Sequence, residues 1–388
     1  MRKSCWGASV TSKRASKPLS ILHILTLNGR NGEYGGPVKV ARELCAELNS
    51  IGHSTHIFSG ALEESQPIPR AGISEEFILV KPLLNKFPVS TLWSWKLIKA
   101  IDLQIRRNNI VHIHFARDLI PFLAAVISIW RKKPYLTQTH GMIISNRRWS
   151  TRFIDFFLTR PILKRSSSLL ILGEFELENV RKLIVNTPIE ILPNGIKVNI
   201  ENLSPLNSPD RVAYLSRINK RKRVDRFIDL AEKYRESGII FELYGPDGGD
   251  LDWTLNEIAR RELSGCLTYK GSINSWSVSE VLARINLLVL PSENEPFPMV
   301  VLEALATGTP VLIMPSCGLA DNLRNFEDSY VATSETFDGL VESFEKQRKA
   351  DFNLRSRQDN ISYCREKHSI RQVAKSLIEI YEKVIVNV

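Results

Sequence analysis

Short runs of β-forming hydrophobic residues alternate along the whole chain with segments whose apolar residues recur at helical spacing. The first unit reads as a buried strand, "SILHILTL", then a glycine loop, "NGRNGEYGG", and then a helix, "PVKVARELCAELNSIG". Further strands are predicted in "NIVHIHFA", "PYLTQTHG" and "SLLILG". Because two parallel strands need a crossover between them, usually a helix, this alternation predicts an α/β fold built on parallel sheets.

One polar stretch divides the alternation into two halves. The 388 residues suffice for about two domains of ~150 residues each. The stretch "KVNIENLSPLNSPD" is polar, and after it new strands begin with "RVAYLSRI" and "IIFELYGP". We therefore predict a basic flexible leader at 1–18, an N-terminal domain at 19–198, a linker at 199–210 and a C-terminal domain at 211–370. Open α/β sheets bind ligands at the carboxyl ends of their strands, so the site is expected in the cleft between the domains.

Cysteine usage and hydrophobic runs limit the class of protein. The five cysteines stand singly, which argues against a disulfide framework or a zinc site and fits a cytoplasmic setting. The leader lacks the apolar core of a secretory signal. The longest apolar run, "LIPFLAAVISIW", is shorter than the ~20 residues of a membrane span, and we predict a buried helix there.

Positive charge is concentrated in the first half of the chain. The net charge is +10, and residues 1–200 hold 28 Lys and Arg against 14 Asp and Glu. This imbalance indicates an anionic partner for the first half, whether membrane surface, phosphate or nucleic acid. A nucleic-acid partner is not expected, because the basic run "NKRKR" in the second half has neither interleaved aromatic residues nor a recognition module around it.

A basic and aromatic segment, "NRRWSTRFIDFFLTRPILKR" at 146–165, allows two interpretations. It can lie on an anionic bilayer at the inner face of the membrane, or it can be a core-facing helix with a solvated basic side. Arg147 and Arg148 at its start are acceptor-side candidates.

Two glutamates flank an apolar run in "PSENEPFPMVVLEALATGTPV". Glu295 follows a predicted strand, Pro298 is placed at the first position of a helix, and Glu303 lies within that helix. An unpaired carboxylate is costly to bury, so these two residues need partners. The amino end of a helix attracts anions, so a phosphate there with carboxylates accepting sugar hydroxyls would explain the combination.

This stretch resembles the hallmark of the retaining nucleotide-sugar glycosyltransferases of family 4, which have two Rossmann-like domains in the GT-B arrangement. Their motif is a glutamate, seven residues, and a second glutamate followed by Ala and a Gly-x-Pro-Val turn, matched by Glu295, Glu303, Ala304 and "GTPV". The resemblance implies that Glu303 holds the ribose of the donor and that Glu295 lies beside the donor sugar and phosphate.

The segment "YLSRINKRKRVDRFIDL" is similar to the family's diphosphate-binding loop, where an arginine and a lysine bind the phosphates. By position these are Arg217 and Lys222, which would do the work of a metal, so neither a metal nor another cofactor is expected. The family usually has glycine where this chain has Arg223, which leaves open which residue of 220–223 touches phosphate. The turn in "LYGPDGGD" resembles the one that lines the base pocket, at Gly245.

In the first half, Gly35 and Gly36 resemble the family's glycine loop near the donor phosphates and acceptor, with Gly36 on the donor side and Gly35 on the acceptor side. The pair in "TQTHGMI" resembles a histidine and glycine facing the cleft, so His140 joins Glu295 as a catalytic candidate that contacts the transferred sugar. His112 and His114 share one strand face; a metal pair is conceivable, and packed, hydrogen-bonded histidines are favoured.

The resemblance implies a metal-independent retaining glycosyltransferase. It would move a hexose-type sugar from a UDP or GDP sugar to a hydroxyl of a glycan, with a lipid-linked intermediate of surface polysaccharide synthesis favoured and a small soluble acceptor left open. A hydrolysing nucleotide-sugar epimerase of the same architecture and a non-catalytic sugar-nucleotide-binding scaffold are the alternatives. In relatives the last helix, here about 371–388, packs back onto the first domain.

Overall fold

The computed structural model describes residues 17–30, 36–84, 89–143, 149–184, 186–198, 210–274, 277–324, 331–349 and 354–386. Of the residues at 149–150 and 354–356 it describes the backbone. The predicted leader, apart from its last two residues, and the predicted linker, apart from its last residue, lie outside these ranges.

The first half is built on one seven-stranded sheet with the order β3-β2-β1-β6-β7-β8-β9. All neighbouring strands in it are parallel. The strands of this sheet are β1 (Ser20–Leu27), β2 (Ser54–Ala61), β3 (Ser74–Leu79), β6 (Ile110–His114), β7 (Tyr135–Gln138), β8 (Ser168–Ile171) and β9 (Ile189–Ile191). A separate, small antiparallel pair is formed by β4 (Lys81–Pro82) and β5 (Leu92–Trp93). The helices are α1 (Gly36–Ser50), α2 (Leu97–Arg107), α3 (Leu119–Trp130), α4 (Trp149–Ile154), α5 (Arg160–Arg165) and α6 (Glu174–Arg181).

The second half is built on a five-stranded parallel sheet with the order β12-β11-β10-β13-β14. Its strands are β10 (Arg211–Leu215), β11 (Ile240–Tyr244), β12 (Leu267–Gly271), β13 (Leu287–Leu290) and β14 (Val311–Ile313). The remaining helices are α7 (Val224–Lys233), α8 (Leu251–Arg260), α9 (Val278–Arg284), α10 (Met299–Ala306), α11 (Ala320–Leu323), α12 (Phe337–Lys349), α13 (Leu354–Lys367) and α14 (Ile370–Val386).

Both sheets are buried on their two faces, which explains their continuous apolar strands. Strands β6, β8 and β13 have only buried residues, as expected when helices cover both sides of a parallel sheet. Separate hydrophobic clusters lie on the two faces of each sheet. The predicted α/β fold with parallel sheets is confirmed.

The last helix packs on the N-terminal domain. Val373, Leu377 and Tyr381 of α14 lie in one buried cluster with Leu44 and Leu48 of α1. Burying this apolar stripe ties the end of the chain to the first sheet, at roughly 25 cal/mol for each Å² of apolar surface removed from water.

Two local predictions need correction. The run at 119–130 was expected to be a buried helix, and α3 is buried on one face only, with Val126 and Trp130 52% and 67% exposed. Pro298 is the N-cap of α10 rather than its first residue, and its backbone is extended. Across the described residues, no helix combines the length and the apolar character needed to span a bilayer.

Candidate active site

Most of the predicted site residues that the structure describes lie in loops at the carboxyl ends of the strands. Because parallel strands place these ends at one edge of each sheet, residues far apart in sequence come together there. The residues in such loops are His140 after β7, Arg217 and Lys222 after β10, Gly245 after β11 and Glu295 after β13. Gly35, Arg147 and Arg148 lie outside the described residues.

Glu295 and Lys222 form a buried ion pair. The Nζ atom of Lys222 lies 2.5 Å from Oε2 of Glu295, and the two side chains are 13% and 10% exposed. Arg221 adds a second, more exposed cation 3.5 Å from the same carboxylate. Burial lowers the pKa of Lys222, and the Glu295 carboxylate acts in the opposite direction. The glutamate is thus a paired, partly desolvated carboxylate held beside an ammonium group that an anionic ligand can use.

The backbone of the basic loop directs Lys222 toward Glu295. Residues Lys220–Lys222 form a 3₁₀ turn, capped by the Asn219 side chain, which accepts from the Lys222 amide at 3.2 Å. Arg223 has a φ of 51°, the left-handed conformation that favours glycine. Its guanidinium pairs with Asp225 at 2.7 Å and with Glu293. Of Lys222 and Arg223, only Lys222 therefore pairs with Glu295 in the described structure, together with the more exposed Arg221.

A glycine turn after β11 packs directly on the Arg217 loop. Gly245 has a φ of 147°, and a Cβ there would lie 1.8 Å from the carbonyl oxygen of Ser216. A Cβ on Gly248 would come within 2.6 Å of the Arg217 side chain. Both positions require glycine because the backbone approaches another chain segment so closely, and this contact positions Arg217.

Glu303 makes an ion pair across the two domains. It projects from α10, with its side chain 17% exposed, and pairs with Lys39 of α1, whose side chain is 38% exposed. Sequence reasoning missed Lys39, which follows the glycine loop by three residues. Gly36 begins α1, and a Cβ there would meet nothing within 4 Å, so the described surroundings give no steric reason for glycine at this position.

The turn at His140 touches the Glu295 loop. His140 and Gly141 have φ values of 49° and 72°, and a Cβ on Gly141 would lie 2.3 Å from Cβ of Pro296. The buried carboxylate of Glu176 supports this turn by accepting from the Gly141 amide at 2.7 Å and the Leu172 amide at 2.8 Å. Burial raises the pKa of Glu176, whereas these hydrogen bonds act to lower it. Glu176 was not predicted; its signal is an acidic residue on the buried face of a short helix.

Four histidine rings lie in a row on one face of the first sheet and at the end of β7, and we call His23, His112, His114 and His140 the histidine stack. The rings of His112 and His114 lie 4.7 Å apart at 7°, and those of His114 and His140 lie 5.0 Å apart at 9°. His112 also contacts Tyr381 Oη at 2.6 Å and Gln138 Oε1 at 3.1 Å. Burial lowers the pKa of both His112 and His140 to about 3, so the rings are neutral at pH 7.

Nitrogen atoms of His23, His112 and His114 lie within 4.8 Å of one another, close enough to be considered as metal ligands. Their geometry fits hydrogen bonding better. His23 Nδ1 and His114 Nε2 face each other at 3.1 Å, so these two nitrogens share a hydrogen bond rather than pointing together toward one ion. His23 was not predicted, although a histidine within an apolar strand is a visible signal.

Two family models match the chain. The model for glycosyl transferases group 1 matches residues 198–365, and the model for Glycosyltransferase Family 4 matches residues 34–199. Glycogen synthase from Mycobacterium tuberculosis is 28% identical over 139 residues, which are 35% of this chain and 33% of that protein. The match thus spans about a third of that relative's length.

Solved structures resemble the chain over nearly its whole length. Sucrose-phosphate synthase from Thermosynechococcus elongatus has a TM-score of 0.74 at 16% identity, covering 95% of this chain and 100% of that one. Anabaena HepE in complex with UDP and glucose has a TM-score of 0.73 at 14% identity, covering 94% and 99%. At these identities the likeness concerns the fold, and it confirms the predicted pair of Rossmann-like domains.

Proposed function

Because this chain belongs to the GT-B glycosyltransferases of group 1 and family 4, we propose that it transfers a hexose-type sugar from a UDP or GDP sugar to a hydroxyl group of a glycan, with retention of configuration. The observation that carries the proposal is that the His140 turn packs on Pro296, directly beside the Lys222–Glu295 pair. Glu303, in the helix that follows, pairs with Lys39 of the first domain.

The leaving group of the proposed reaction is a nucleoside diphosphate. Its charge would be met by Lys222 and Arg217 and by the amino end of α10, which begins directly after Pro298. Fixed cations stabilise the departing phosphate without a metal ion, so the reaction is proposed to be metal-independent. Glu295 holds the Lys222 ammonium in place until phosphate shares it.

The transfer step is proposed to occur on one face of the sugar. The acceptor oxygen forms a bond to the anomeric carbon while the bond from that carbon to the diphosphate oxygen breaks. The acceptor proton passes to the departing diphosphate, so no covalent sugar–enzyme intermediate is needed. Glu295 and His140 would hold the sugar hydroxyls in the orientation that this attack requires.

Calorimetric titration of UDP, GDP and ADP, with EDTA present throughout, tests the donor site. We expect one of UDP or GDP to bind and Glu303→Ala to weaken that binding. If no nucleotide binds to the folded protein, the donor-site assignment is wrong and the transferase proposal fails with it.

The acceptor is proposed to be lipid-linked, and an exposed patch supports this. Phe153, Phe156 and Phe157 are 58%, 60% and 56% exposed, and their rings contact each other at centroid distances of 4.5 and 4.9 Å. Phe157 also lines a groove of about 290 Å³ between α3 and α5, together with the exposed Val126 and the cationic Arg165. Contiguous exposed aromatic side chains beside basic residues fit the interface of an anionic bilayer.

Flotation with vesicles tests this membrane contact. We expect binding to phosphatidylglycerol vesicles, weaker binding to phosphatidylcholine vesicles, and a several-fold loss with Phe156→Ser. The control is Trp253→Ser, which removes a 44% exposed aromatic side chain from the C-terminal domain. Equal flotation of both variants, or none for the parent protein, would favour a soluble acceptor.

A further inference from the structure

We propose that a chain of hydrogen bonds through His23 and His114 fixes His140 in one tautomer, with its proton on Nδ1. In this tautomer His140 presents an N–H donor to the transferred sugar and cannot accept a hydrogen bond from it. His114 and His23 are then positioning residues that act through His140. The identity of the ligand rests on the proposed function, whereas the tautomer does not.

The chain of hydrogen bonds runs from the cleft into the middle of the sheet. Nε2 of His140 lies 2.7 Å from Nδ1 of His114, and Nε2 of His114 lies 3.1 Å from Nδ1 of His23. His114 and His23 are 2% and 0% exposed, and His140 is part-buried. Within the described part of the chain, Nδ1 of His140 has no hydrogen-bond partner, so this nitrogen remains for a ligand.

All three rings are neutral near pH 7. Burial is the largest cause that lowers the pKa of each ring, and the neighbouring histidines lower those of His114 and His23 further. A neutral imidazole has one N–H donor and one bare nitrogen. In a chain of such rings, each hydrogen bond needs one of each, so all the donors must point in the same direction.

The buried end of the hydrogen-bond chain decides the direction in which its donors point. Among the residues that the structure describes, Nε2 of His23 is buried and has no hydrogen-bond partner. If the donors pointed inward, this atom would carry an N–H group with nothing to accept it, and buried N–H groups without a partner are rarer in proteins than buried acceptors without one. If they point outward, it is a bare acceptor, and every proton in the chain lies on Nδ1. The outward direction places the last N–H group on Nδ1 of His140.

The backbone around His140 is fixed separately from its ring. Gly141 packs on Pro296, and Glu176 accepts from the Gly141 amide. The hydrogen bond to His114 therefore has a distinct role, because it sets which ring atom donates and how the ring is rotated. A sugar hydroxyl oxygen that offers a lone pair at this point is the ligand chemistry that a fixed N–H group selects.

Two-bond ¹H–¹⁵N spectra of histidine-labelled protein test the tautomer directly, because the chain has seven histidines and the His140 signals disappear in His140→Ala. We expect Nδ1–H in the parent protein, although isolated imidazole side chains favour Nε2–H. His114→Phe keeps the stacked ring and removes both nitrogens, so His140 should revert toward Nε2–H. An Nε2–H signal for His140 in the parent protein would overturn the proposal without any variant.

His112→Phe is the matched control. His112 lies in the same stack and is equally buried, yet its hydrogen bonds go to Tyr381 and Gln138 rather than to His140. It should leave the His140 tautomer unchanged. If His112→Phe and His114→Phe shift the His140 signal alike, general loss of packing explains the effect and the positioning role is wrong.

Kinetics then test the consequence for the reaction. His114→Phe should lower kcat about tenfold while the affinity for the free nucleotide stays unchanged, and combining it with His140→Ala should add nothing to His140→Ala alone. Additive losses would contradict action through His140. If the protein transfers no sugar but shows the Nδ1–H tautomer, the proposed function fails and the hydrogen-bond chain stands.

Discussion

The ion pair between Lys39 and Glu303 predicts that a substitution in the first domain will tighten nucleotide binding. In the structure, Lys39 occupies the carboxylate that the ribose hydroxyls would use. If Glu303 has the proposed role, the donor displaces or shares this contact when it binds. Lys39→Met keeps most of the aliphatic stem and removes the competing charge, so Glu303 becomes available without disturbing α10.

The size of the effect follows from the exposure of the pair. The side chains of Lys39 and Glu303 are 38% and 17% exposed, so solvent screens much of their attraction. Pairs of this kind contribute about 0.2–1 kcal/mol. Removing the competition should therefore lower the nucleotide Kd by up to about fivefold, since ~1.4 kcal/mol corresponds to a factor of ten.

Calorimetry of the parent protein and Lys39→Met with the nucleotide that binds measures this change. A matched control exists in the pair between Arg70 and Glu43, whose side chains are 39% and 15% exposed and which lies within the first domain. Arg70→Met should not change the Kd. A weaker affinity in Lys39→Met would refute the reasoning, because it would mean that Lys39 binds the ligand rather than competing with it.

Three further predictions concern the same site. Glu295→Ala should chiefly lower kcat and Glu303→Ala should chiefly raise the nucleotide Kd; unchanged kinetics in both would contradict the assigned roles. Gly141→Ala should lower kcat at least tenfold, because its Cβ would clash with Pro296, and normal turnover would show that the turn need not touch that loop. The histidine stack should make the stability of the protein depend on pH. The pKa values of its rings in the folded state lie below 6.5, so the unfolded state binds more protons in acid. The free energy of unfolding should therefore fall as the pH drops below 6.5, by about 1.4 kcal/mol per pH unit for each ring. Urea unfolding at pH 7 and 5.5 measures this, and His112→Phe should reduce the difference.

The fold could be predicted from the sequence because its signal is local. Strands such as "SLLILG" are short continuous apolar runs, and each is followed by a helix with one apolar face, so the order of elements can be read along the chain. The placement of Glu295 after a strand and of Glu303 in the next helix follows from the same reasoning. The exposed face of α3 could not be predicted, because nearly all its residues are apolar and their composition does not indicate which side of the helix packs on the sheet.

The site residues that were not predicted from the sequence depend on contacts between distant parts of the chain. Lys39 reaches Glu303 across 264 positions, and His23 meets His114 across 91 positions. Neither pairing has a local pattern. The direction of Lys222 depends on an Asn219 cap and on a left-handed backbone at the following residue. Such details are decided by three-dimensional packing rather than by periodicity.

The measurement that tests the central claim most directly is sugar transfer itself. Purified protein would be given labelled UDP and GDP hexoses, in EDTA, with and without a membrane lipid extract as acceptor. We predict that label from one donor enters the lipid fraction, with the anomeric configuration of the donor retained and with nucleotide release that depends on the acceptor. Release of nucleotide that is the same without acceptor would indicate a hydrolysing epimerase, and no release from any donor would indicate a binding scaffold; either result would contradict the account.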